Sequence, residues 1–275
     1  MALPTPTTVA GRAGLAAILD APGGALVATD FDGTLAGIVD VPNDARPAPG
    51  AVDALADLAT LVGRLAIVTG REARTVVALA GLDRVPGLVV AGNYGLEVLR
   101  GGRLEAPPPP AGLDRARARL PALLADAARG VHVEDKGQAL AVHARPAVDP
   151  VAALAALHDR LAVLGAETGL ELVAGRLVLE LRPPGVDKGT VIRRLAAERT
   201  PTAVLVAGDD AGDLPAFAAV AELRAAGVPG LTVAVADRDT PAELAAAADV
   251  VVAGPDGMVE LLRALARQIR GRPAP

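Results

Sequence analysis

The segment LVATDFDGT at residues 26–34 is the most informative part of this chain about its fold. Its apolar start predicts a buried strand, which carries two carboxylates, Asp30 and Asp32, at its carboxyl end. In an open α/β sheet this end is where ligands bind. Two neighbouring acids repel each other unless a proton or a cation lies between them. The stretch therefore predicts a metal-bound nucleophile beside a general acid. The alternative is a polar turn in which Gly33 supplies a tight bend.

Three further motifs follow in a fixed order along the chain. The apolar run at 65–68 ends in TGR at 69–71, Lys188 opens a predicted helix, and the apolar run at 203–207 leads into GDDAGD at 208–213. A hydroxyl and a glycine at a strand-to-helix turn suit a phosphate oxygen, and an ammonium group nearby would balance its charge. Each motif is weak by itself. Together they predict an anion site flanked by acids at successive strand ends.

Composition restricts the class of protein and the kind of metal site. The chain has 275 residues, of which 52% are hydrophobic and 1% aromatic, so two domains with Ala, Val and Leu cores are expected. The net charge of −5 argues against a nucleic-acid partner. With no Cys and only 3 His, a metal site would use oxygen ligands and a hard cation.

Neither a membrane span nor a secretory signal is expected from the sequence. No uncharged apolar run approaches the roughly 18 residues that a membrane helix needs. Residues 1–11 lack a positive segment ahead of an apolar one. A cytoplasmic protein without membrane partners is therefore predicted.

Periodicity divides the chain into a core and an insertion. Residues 1–13 are predicted to be a flexible arm, and the strands that follow alternate with helices, which indicates parallel βαβ units. The run of four prolines at 107–110 interrupts this pattern. The segments predicted beyond it are a helix at about 112–128, strands at 131–135 and 138–145, a helix at 149–167, and strands at 170–174 and 176–182. The predicted fold class is therefore α/β, with a Rossmann-like parallel-sheet core at 1–106 and 184–275 and an inserted α+β domain at 107–183.

Alternation along the inserted strands predicts one apolar and one polar face, because strand side chains point to alternate sides. The apolar face would include Val131, Val133, Leu140, Val142, Leu177, Leu179 and Leu181. The polar face would include His132, Glu134, Lys136, His143, Arg145, Arg176, Glu180 and Arg182. The polar face is either solvated or a binding face for a sugar, whose hydroxyls need both donors and acceptors.

The order DxDGT, strand-Thr, Lys and GDDxxxD resembles the haloacid dehalogenase superfamily, over roughly residues 24–265. In detail the chain is most similar to trehalose-6-phosphate phosphatases. The matching segments are DFDGTLAGIVDVPNDA at 30–45, IVTGR at 67–71, GNYGLE at 92–97, VEDKGQALAVHAR at 133–145 and GRLVLELRPPGVDKG at 175–189. The resemblance implies a haloacid dehalogenase core with an inserted cap domain.

The resemblance also implies a reaction and a set of residues. It implies a Mg²⁺-dependent phosphatase in which Asp30 forms an aspartyl phosphate, Asp32 exchanges protons with the leaving group and water, and Thr69 and Lys188 stabilise the phosphoryl oxygens. The implied metal residues are Asp30, Asp32 (through its backbone carbonyl), Asp209 and Asp213, with Asp210 as the alternative holder of a metal-bound water. The implied substrate residues are Gly33, Thr34, Arg71, Asn93, Tyr94, Gly95, Glu134, Lys136, Arg145, Arg176 and Glu180.

Three positions depart from the family pattern, in which His usually stands at Tyr94, Thr at Gly212 and Glu at Leu214. They leave the exact sugar phosphate open between trehalose 6-phosphate, a glycosylglycerate phosphate and sucrose phosphate. A non-catalytic sugar-phosphate sensor is a further alternative, against which the chain keeps both Asp30 and Asp32. A small-molecule sugar phosphate as partner and a monomeric state are expected.

Overall fold

The computed structural model describes residues 3–39, 41–175, 177–238 and 240–272. The chain divides into two compact units. The core unit comprises Met1–Glu105 and Asp187–Pro275, and the inserted unit comprises Ala106–Val186. Both boundaries lie within three residues of those that the proline-rich segments predict.

The described residues contain the following strands and helices. The strands are β1 (Leu26–Thr29), β2 (Arg64–Val68), β3 (Val89–Gly92), β4 (Glu97–Arg100), β5 (Arg103–Glu105), β6 (His132–Asp135), β7 (Leu140–His143), β8 (Glu171–Gly175), β9 (Val178–Arg182), β10 (Val204–Gly208), β11 (Gly230–Ala236) and β12 (Val250–Ala253). The α-helices are α1 (Val9–Asp20), α2 (Ala51–Ala59), α3 (Ala73–Ala80), α4 (Leu113–Leu123), α5 (Pro150–Thr168), α6 (Lys188–Glu198), α7 (Leu214–Ala225), α8 (Ala242–Ala247) and α9 (Gly254–Arg270).

The core unit is built on one sheet with the order β12-β11-β10-β1-β2-β3-β4-β5. The strands from β12 to β3 are parallel, and the hairpin β4–β5 extends the sheet with antiparallel pairs. Helices α1, α2, α3 and α9 cover one face, and α6, α7 and α8 cover the other. Because both faces are covered, the central strands consist mostly of apolar residues, as parallel strands usually do. The predicted α/β class is confirmed.

The first residues correct the prediction of a flexible arm at 1–13. Helix α1 begins at Val9, and Thr8 caps it by accepting a hydrogen bond from the Gly11 amide at 2.8 Å. Leu3 packs against the core, and the Thr7 amide donates to the Asp249 carbonyl at 2.8 Å. Asp249, which holds this segment, lies more than 240 residues away in the sequence.

The inserted unit has an antiparallel sheet with the order β6-β7-β9-β8, and its helices are α4 and α5. Leu140, Val142, Leu179 and Leu181 pack with residues of both helices, as alternation predicts. Val133 was expected on this covered face, yet it is 40% exposed. The reason is position, because α5 contacts β8 and β9, whereas β6 is the strand at the other edge of this sheet.

A search of the described helices for a membrane span found none that is long and apolar enough to cross a bilayer.

Candidate active site

Three neighbouring parallel strands bring the predicted site residues to one edge of the core sheet. Strand β1 lies between β10 and β2, so Asp30, Asp209 and Thr69 follow adjacent carboxyl ends. The Asp30 amide donates to the Ala207 carbonyl at 2.9 Å, which continues the ladder and fixes the backbone at the first acid. Lys188 is the first residue of α6. The structure thus assembles the four motifs within one unit.

Asp30, Asp209 and Asp213 form a buried acidic cluster, with one carboxylate oxygen of each lying within 4.8 Å of the others. The Lys188 ammonium lies 3.1 Å from Asp30 Oδ1 and 2.8 Å from Asp213 Oδ1. All four side chains are at least nine-tenths buried. Three carboxylates therefore share one buried ammonium.

The excess of carboxylates over ammonium groups affects the pKa values of the cluster. Burial raises the pKa of Asp30, an effect that Lys188 opposes and that Asp213 and Asp209 reinforce. Burial, Asp213 and Asp210 together raise the pKa of Asp209 to about 7. Burial also raises the pKa of Asp213, although Lys188 opposes this shift. The cluster thus holds protons because it carries excess negative charge, which a divalent cation would offset.

The Lys188 ammonium stays charged in spite of its burial. Desolvation would lower its pKa, but the carboxylates of Asp213 and Asp30 raise it well above the usual value for lysine. The ligand atoms that the cluster offers to a metal are carboxylate oxygens, and the charged Lys188 ammonium lies at one side of them. Such a set fits a hard cation such as Mg²⁺.

Short-range contacts hold the acidic cluster in place. The buried Thr34 hydroxyl donates to Asp209 Oδ1 at 3.0 Å, so this predicted substrate residue supports an acid. Gly33 has φ +79°, and a Cβ atom there would lie 1.9 Å from Asp209 Oδ2. Only glycine therefore lets the turn approach Asp209 so closely.

Asp213 and Asp210, both candidates for metal support, differ in position. Asp213 Oδ2 accepts from the amides of Asp209 and Asp210 at 3.1 and 3.3 Å, while its Oδ1 contacts Lys188. Asp210 is exposed, and its Oδ1 accepts from the Gly212 amide at 2.8 Å. Asp213, and not Asp210, belongs to the cluster.

Asp32 lies in an ion pair that the sequence did not predict. Arg71 Nε is 2.6 Å from Asp32 Oδ2, and Arg71 Nη2 is 2.7 Å from Asp32 Oδ1. Arg71 Nη1 also donates to the Pro42 carbonyl at 2.8 Å. The resemblance implied a substrate ligand at Arg71, whereas the structure places its guanidinium on the second acid of the DxDGT motif.

The segment 92–97 supports the turn that carries Thr69. The Tyr94 amide donates to the Thr69 carbonyl at 2.9 Å, and the Asn93 amide donates to the Arg71 carbonyl at 2.8 Å. Asn93 and Tyr94 adopt positive φ angles of 48° and 57°. The Tyr94 ring lies against Gly70, where a Cβ atom would come within 2.7 Å of it. Gly95 completes this turn, with φ +94°.

Glu97 is a supporting residue to which sequence reasoning gave no role. It is buried, and its Oε1 accepts from the Ala73 amide at the first turn of α3, at 2.5 Å. Burial raises the pKa of Glu97, and this hydrogen bond opposes the shift. The helix start that was expected to assist a phosphate thus has one of its amides bound by protein. A lone acid at the start of β4, followed by Val98 and Leu99, was the available signal.

The inserted unit gathers part of the predicted sugar-binding set on one face of its sheet. Lys136 Nζ lies 2.8 Å from Glu180 Oε2, and Glu134 Oε2 lies 2.8 Å from His143 Nε2. Strand register places Glu134, Ala141 and Glu180 side by side. Arg145 is half-buried, and the prediction for Arg176 lies outside the described residues.

The core sheet, with its aspartates and lysine at the carboxyl ends of the strands, defines a haloacid dehalogenase-like fold. A haloacid dehalogenase-like hydrolase from Bacteroides thetaiotaomicron superimposes with a TM-score of 0.64 at 15% identity, covering 86% of this chain and 97% of that one. The C-terminal domain of the trehalose-6-phosphate phosphatase from C. albicans gives a TM-score of 0.77 at 21% identity, covering 96% and 99%.

Sequence comparison identifies the family within this class. The family described as trehalose-phosphatase matches residues 28–250. A trehalose-phosphate phosphatase from Mycobacterium leprae is 37% identical over 223 residues, which cover 73% of this chain and 48% of the relative. The chain belongs to the trehalose-phosphatase family. It spans about half the length of the first curated relatives that it matches.

Proposed function

We propose that the chain is a Mg²⁺-dependent phosphatase that hydrolyses trehalose 6-phosphate to trehalose and phosphate. The observation that carries the proposal is the buried cluster of Asp30, Asp209 and Asp213 around Lys188, in a member of the trehalose-phosphatase family. The names of the curated relatives support the substrate. The cytoplasmic location and monomeric state expected from the sequence stay predictions.

In the first step, a carboxylate oxygen of Asp30 attacks phosphorus, because aspartate serves as a nucleophile in phosphoryl transfer. The bond between phosphorus and the sugar oxygen breaks, its electron pair passes to that oxygen, and Asp32 supplies the proton. Thr69 and Lys188 stabilise the negative charge on the phosphoryl oxygens.

In the second step, a water oxygen attacks phosphorus of the aspartyl phosphate. The bond from phosphorus to the Asp30 oxygen breaks, and its electron pair restores the carboxylate. Asp32 accepts a proton from the water. The products are inorganic phosphate and an enzyme ready for the next substrate.

Asp30, Asp209 and Asp213, with the Asp32 backbone carbonyl, would hold the Mg²⁺. When bound, the cation neutralises charge on the transferring phosphoryl group. Lys188 is then left to orient the nucleophile Asp30, and Thr34 holds Asp209 in the cluster.

The sugar specificity is assigned to the polar face of the inserted sheet, where Glu134, Lys136, Arg145 and Glu180 would bind glucosyl hydroxyls. The sequence prediction adds Arg176, which lies outside the described residues. Paired acids and bases within one face supply both donors and acceptors. The Tyr94, Gly212 and Leu214 departures make other sugar phosphates a necessary arm of the test.

The test is a phosphate-release assay over a panel of sugar phosphates, with Mg²⁺ and then with excess chelator. We expect trehalose 6-phosphate to be the best substrate and chelation to abolish turnover. Asp30→Asn should abolish phosphate release while thermal unfolding stays cooperative, because an amide cannot form the acyl phosphate. Turnover by Asp30→Asn at even a few percent of the wild-type rate would contradict the nucleophile assignment.

A further inference from the structure

We propose that Glu97 is a positioning residue that fixes the turn carrying Thr69, and with it the site for the phosphoryl group. The turn consists of residues 69–73, which join β2 to α3. The inference rests on the proposed function, in which Thr69 stabilises the phosphoryl oxygens. It gives a part in that reaction to a residue outside the set that the sequence predicted.

Glu97 contacts the end of this turn from a neighbouring strand of the core sheet. It is the first residue of β4, which pairs with β3, and only 9% of it is exposed. Its Oε1 accepts from the Ala73 amide at 2.5 Å. Ala73 is fully buried, and a buried N–H without an acceptor is costly. The position of the Glu97 oxygen therefore fixes where the turn ends and α3 begins.

Backbone contacts hold the start and the middle of the same turn. The Tyr94 amide donates to the Thr69 carbonyl at 2.9 Å, and the Asn93 amide donates to the Arg71 carbonyl at 2.8 Å. Segment 92–97 thus holds the turn through two main-chain hydrogen bonds and through the side chain of Glu97.

The close approach of the two segments shows that the turn has little room to move. A Cβ atom at Gly92 would lie 2.4 Å from the Ala73 nitrogen and 2.8 Å from Glu97 Oε1. A change in the length of the Glu97 side chain should therefore alter the position of the turn.

The position of the turn determines where the Thr69 hydroxyl lies. Thr69 is 1% exposed, and its Oγ1 accepts from the Arg71 amide at 3.2 Å. A threonine hydroxyl has one donor and two acceptor sites, so this contact leaves the O–H for donation to a phosphoryl oxygen. Misplacement of such a group by about 1 Å can cost about a hundredfold in rate.

The inference concerns the position of the Glu97 oxygen and not its charge. A negative charge close to a phosphate site would by itself oppose the binding of phosphate. Any benefit of Glu97 to that site must therefore come from the hydrogen bond that it accepts.

The experiment separates the reach of the side chain from its charge, in the full chain with Mg²⁺. Glu97→Asp keeps the carboxyl group but withdraws it by one methylene. Glu97→Gln loses the charge and keeps an oxygen that can accept from the Ala73 amide. The inhibition constant Ki of inorganic phosphate is measured for each variant, together with kcat/KM for trehalose 6-phosphate and for a small aryl phosphate. Because Ki does not depend on the fraction of active enzyme, a variant that is merely less stable leaves it unchanged.

For Glu97→Asp we expect the phosphate Ki to rise about tenfold and kcat/KM to fall about ten- to a hundredfold, as displacement of the turn can cause. Both substrates should lose the same factor, because Glu97 acts at the phosphate and not at the sugar. Glu97→Gln should stay close to the wild type in all three quantities.

Glu72→Asp and Glu72→Gln are the matched controls. Glu72 lies directly before Ala73 at the start of α3, and its Oε2 accepts from the Thr75 hydroxyl at 3.0 Å, within the first turn of the helix. The same two changes there alter length and charge without touching the contact between β4 and the turn. Both controls should keep the wild-type Ki.

Two outcomes would overturn the inference alone. A wild-type Ki in Glu97→Asp would show that Glu97 does not fix the phosphate site. A Ki in Glu97→Gln as high as that in Glu97→Asp would show that the site needs the charge of Glu97 and not the position of its oxygen. Should Glu97→Asp fail to fold, Glu97→Met replaces it, because methionine fills the space without a carboxyl oxygen.

A third outcome would reach the proposed function itself. A wild-type enzyme that releases phosphate from neither substrate would overturn the proposed function, and the inference with it.

Discussion

At the scale of single residues, charge balance around Asp30 controls the site. Asp30, Asp209 and Asp213 are buried with one ammonium, Lys188, in contact with the cluster. Each carboxyl consequently has a raised pKa in the folded protein. Protons and a divalent cation are therefore alternative means of relieving the same repulsion, and the two should compete.

We predict that Mg²⁺ affinity rises as pH rises through about 7, the pKa of Asp209 in the folded protein. Metal ligands must be deprotonated, so binding releases protons. Calorimetric titration from about pH 5.5 to about pH 8.5, repeated in buffers of different ionisation enthalpy, measures both affinity and proton release. An affinity independent of pH over this range would contradict the prediction.

The raised pKa of Asp209 also predicts how the stability of the metal-free protein changes with pH. The folded pKa of Asp209 lies above the unfolded value of about 3.9, so between these values the metal-free native state holds a proton that the unfolded state has lost. Stability of the metal-free protein should therefore fall as pH rises through this window. Added Mg²⁺ should stabilise the protein more at about pH 8 than at about pH 5.

At the scale of elements, the inserted sheet separates packing from recognition. Its covered face joins α4 and α5 through leucines, whereas its polar face holds Lys136 and Glu180 in a buried pair. Glu180 is 5% exposed, and within the described residues its Oε1 is buried without a hydrogen-bond partner. A buried acceptor of this kind is costly unless a ligand satisfies it.

We predict that Glu180→Ala lowers kcat/KM for trehalose 6-phosphate by about ten- to a hundredfold, since an unmatched buried group costs roughly 1–3 kcal/mol. Hydrolysis of a small aryl phosphate should hardly change. Both substrates are assayed on the same variant, with thermal unfolding as a check that Lys136 tolerates the loss. Glu171→Gln is the control, because Glu171 lies on the same face but is exposed at the edge strand β8.

Equal losses on both substrates would instead show that Glu180 supports the fold or the phosphate site. If kcat/KM falls for neither substrate, the sugar does not bind to this face of the sheet.

At the scale of the whole molecule, Asp249 ties the first residues of the chain to the last strands of the core sheet. Its buried carboxylate accepts hydrogen bonds from Thr8, from Arg224, and from the amide and hydroxyl of Thr232 at 2.8 and 3.0 Å. Burial would raise the pKa of Asp249, but hydrogen bonds from Thr8, Thr232 and Arg224 hold it below the usual value. This cluster lies at the opposite edge of the sheet from Asp30, because Asp249 precedes β12 whereas Asp30 follows β1.

We predict that Asp249→Asn destabilises the fold by about 3 kcal/mol, because it removes one partner of a buried ion pair. The urea midpoint measures the effect. Asp57→Asn is the matched control, since Asp57 makes an exposed pair with Arg270 at 3.3 Å and should cost at most about 1 kcal/mol. Because the folded pKa of Asp249 is depressed, its contribution is present above the unfolded value and is lost as pH falls through the folded one. If the urea midpoint of Asp249→Asn equals that of Asp57→Asn, the prediction that Asp249 stabilises the fold is wrong.

The class of fold, the order of the motifs and the faces of most strands can be predicted from the amino-acid sequence. These features are local. An apolar run that ends in Asp30 or Asp209 predicts a strand with an acid at its carboxyl end. Alternation over a few residues predicts that the side chains of Leu179 and Glu180 lie on opposite faces of the sheet. Where such strands are parallel neighbours in the sheet, their carboxyl ends lie side by side.

Which side chains contact each other depends on the tertiary structure. Arg71 contacts Asp32 across 39 positions, Glu97 contacts Ala73 across 24 and Thr8 contacts Asp249 across 241. The periodicity of a single segment cannot predict these contacts, because each contact depends on the order of the strands and on the turns that join them. Which strands a helix contacts is likewise a property of the assembled unit. Helix α5 contacts β8 and β9, and Val133 on β6 is exposed although its alternation matches that of buried neighbours.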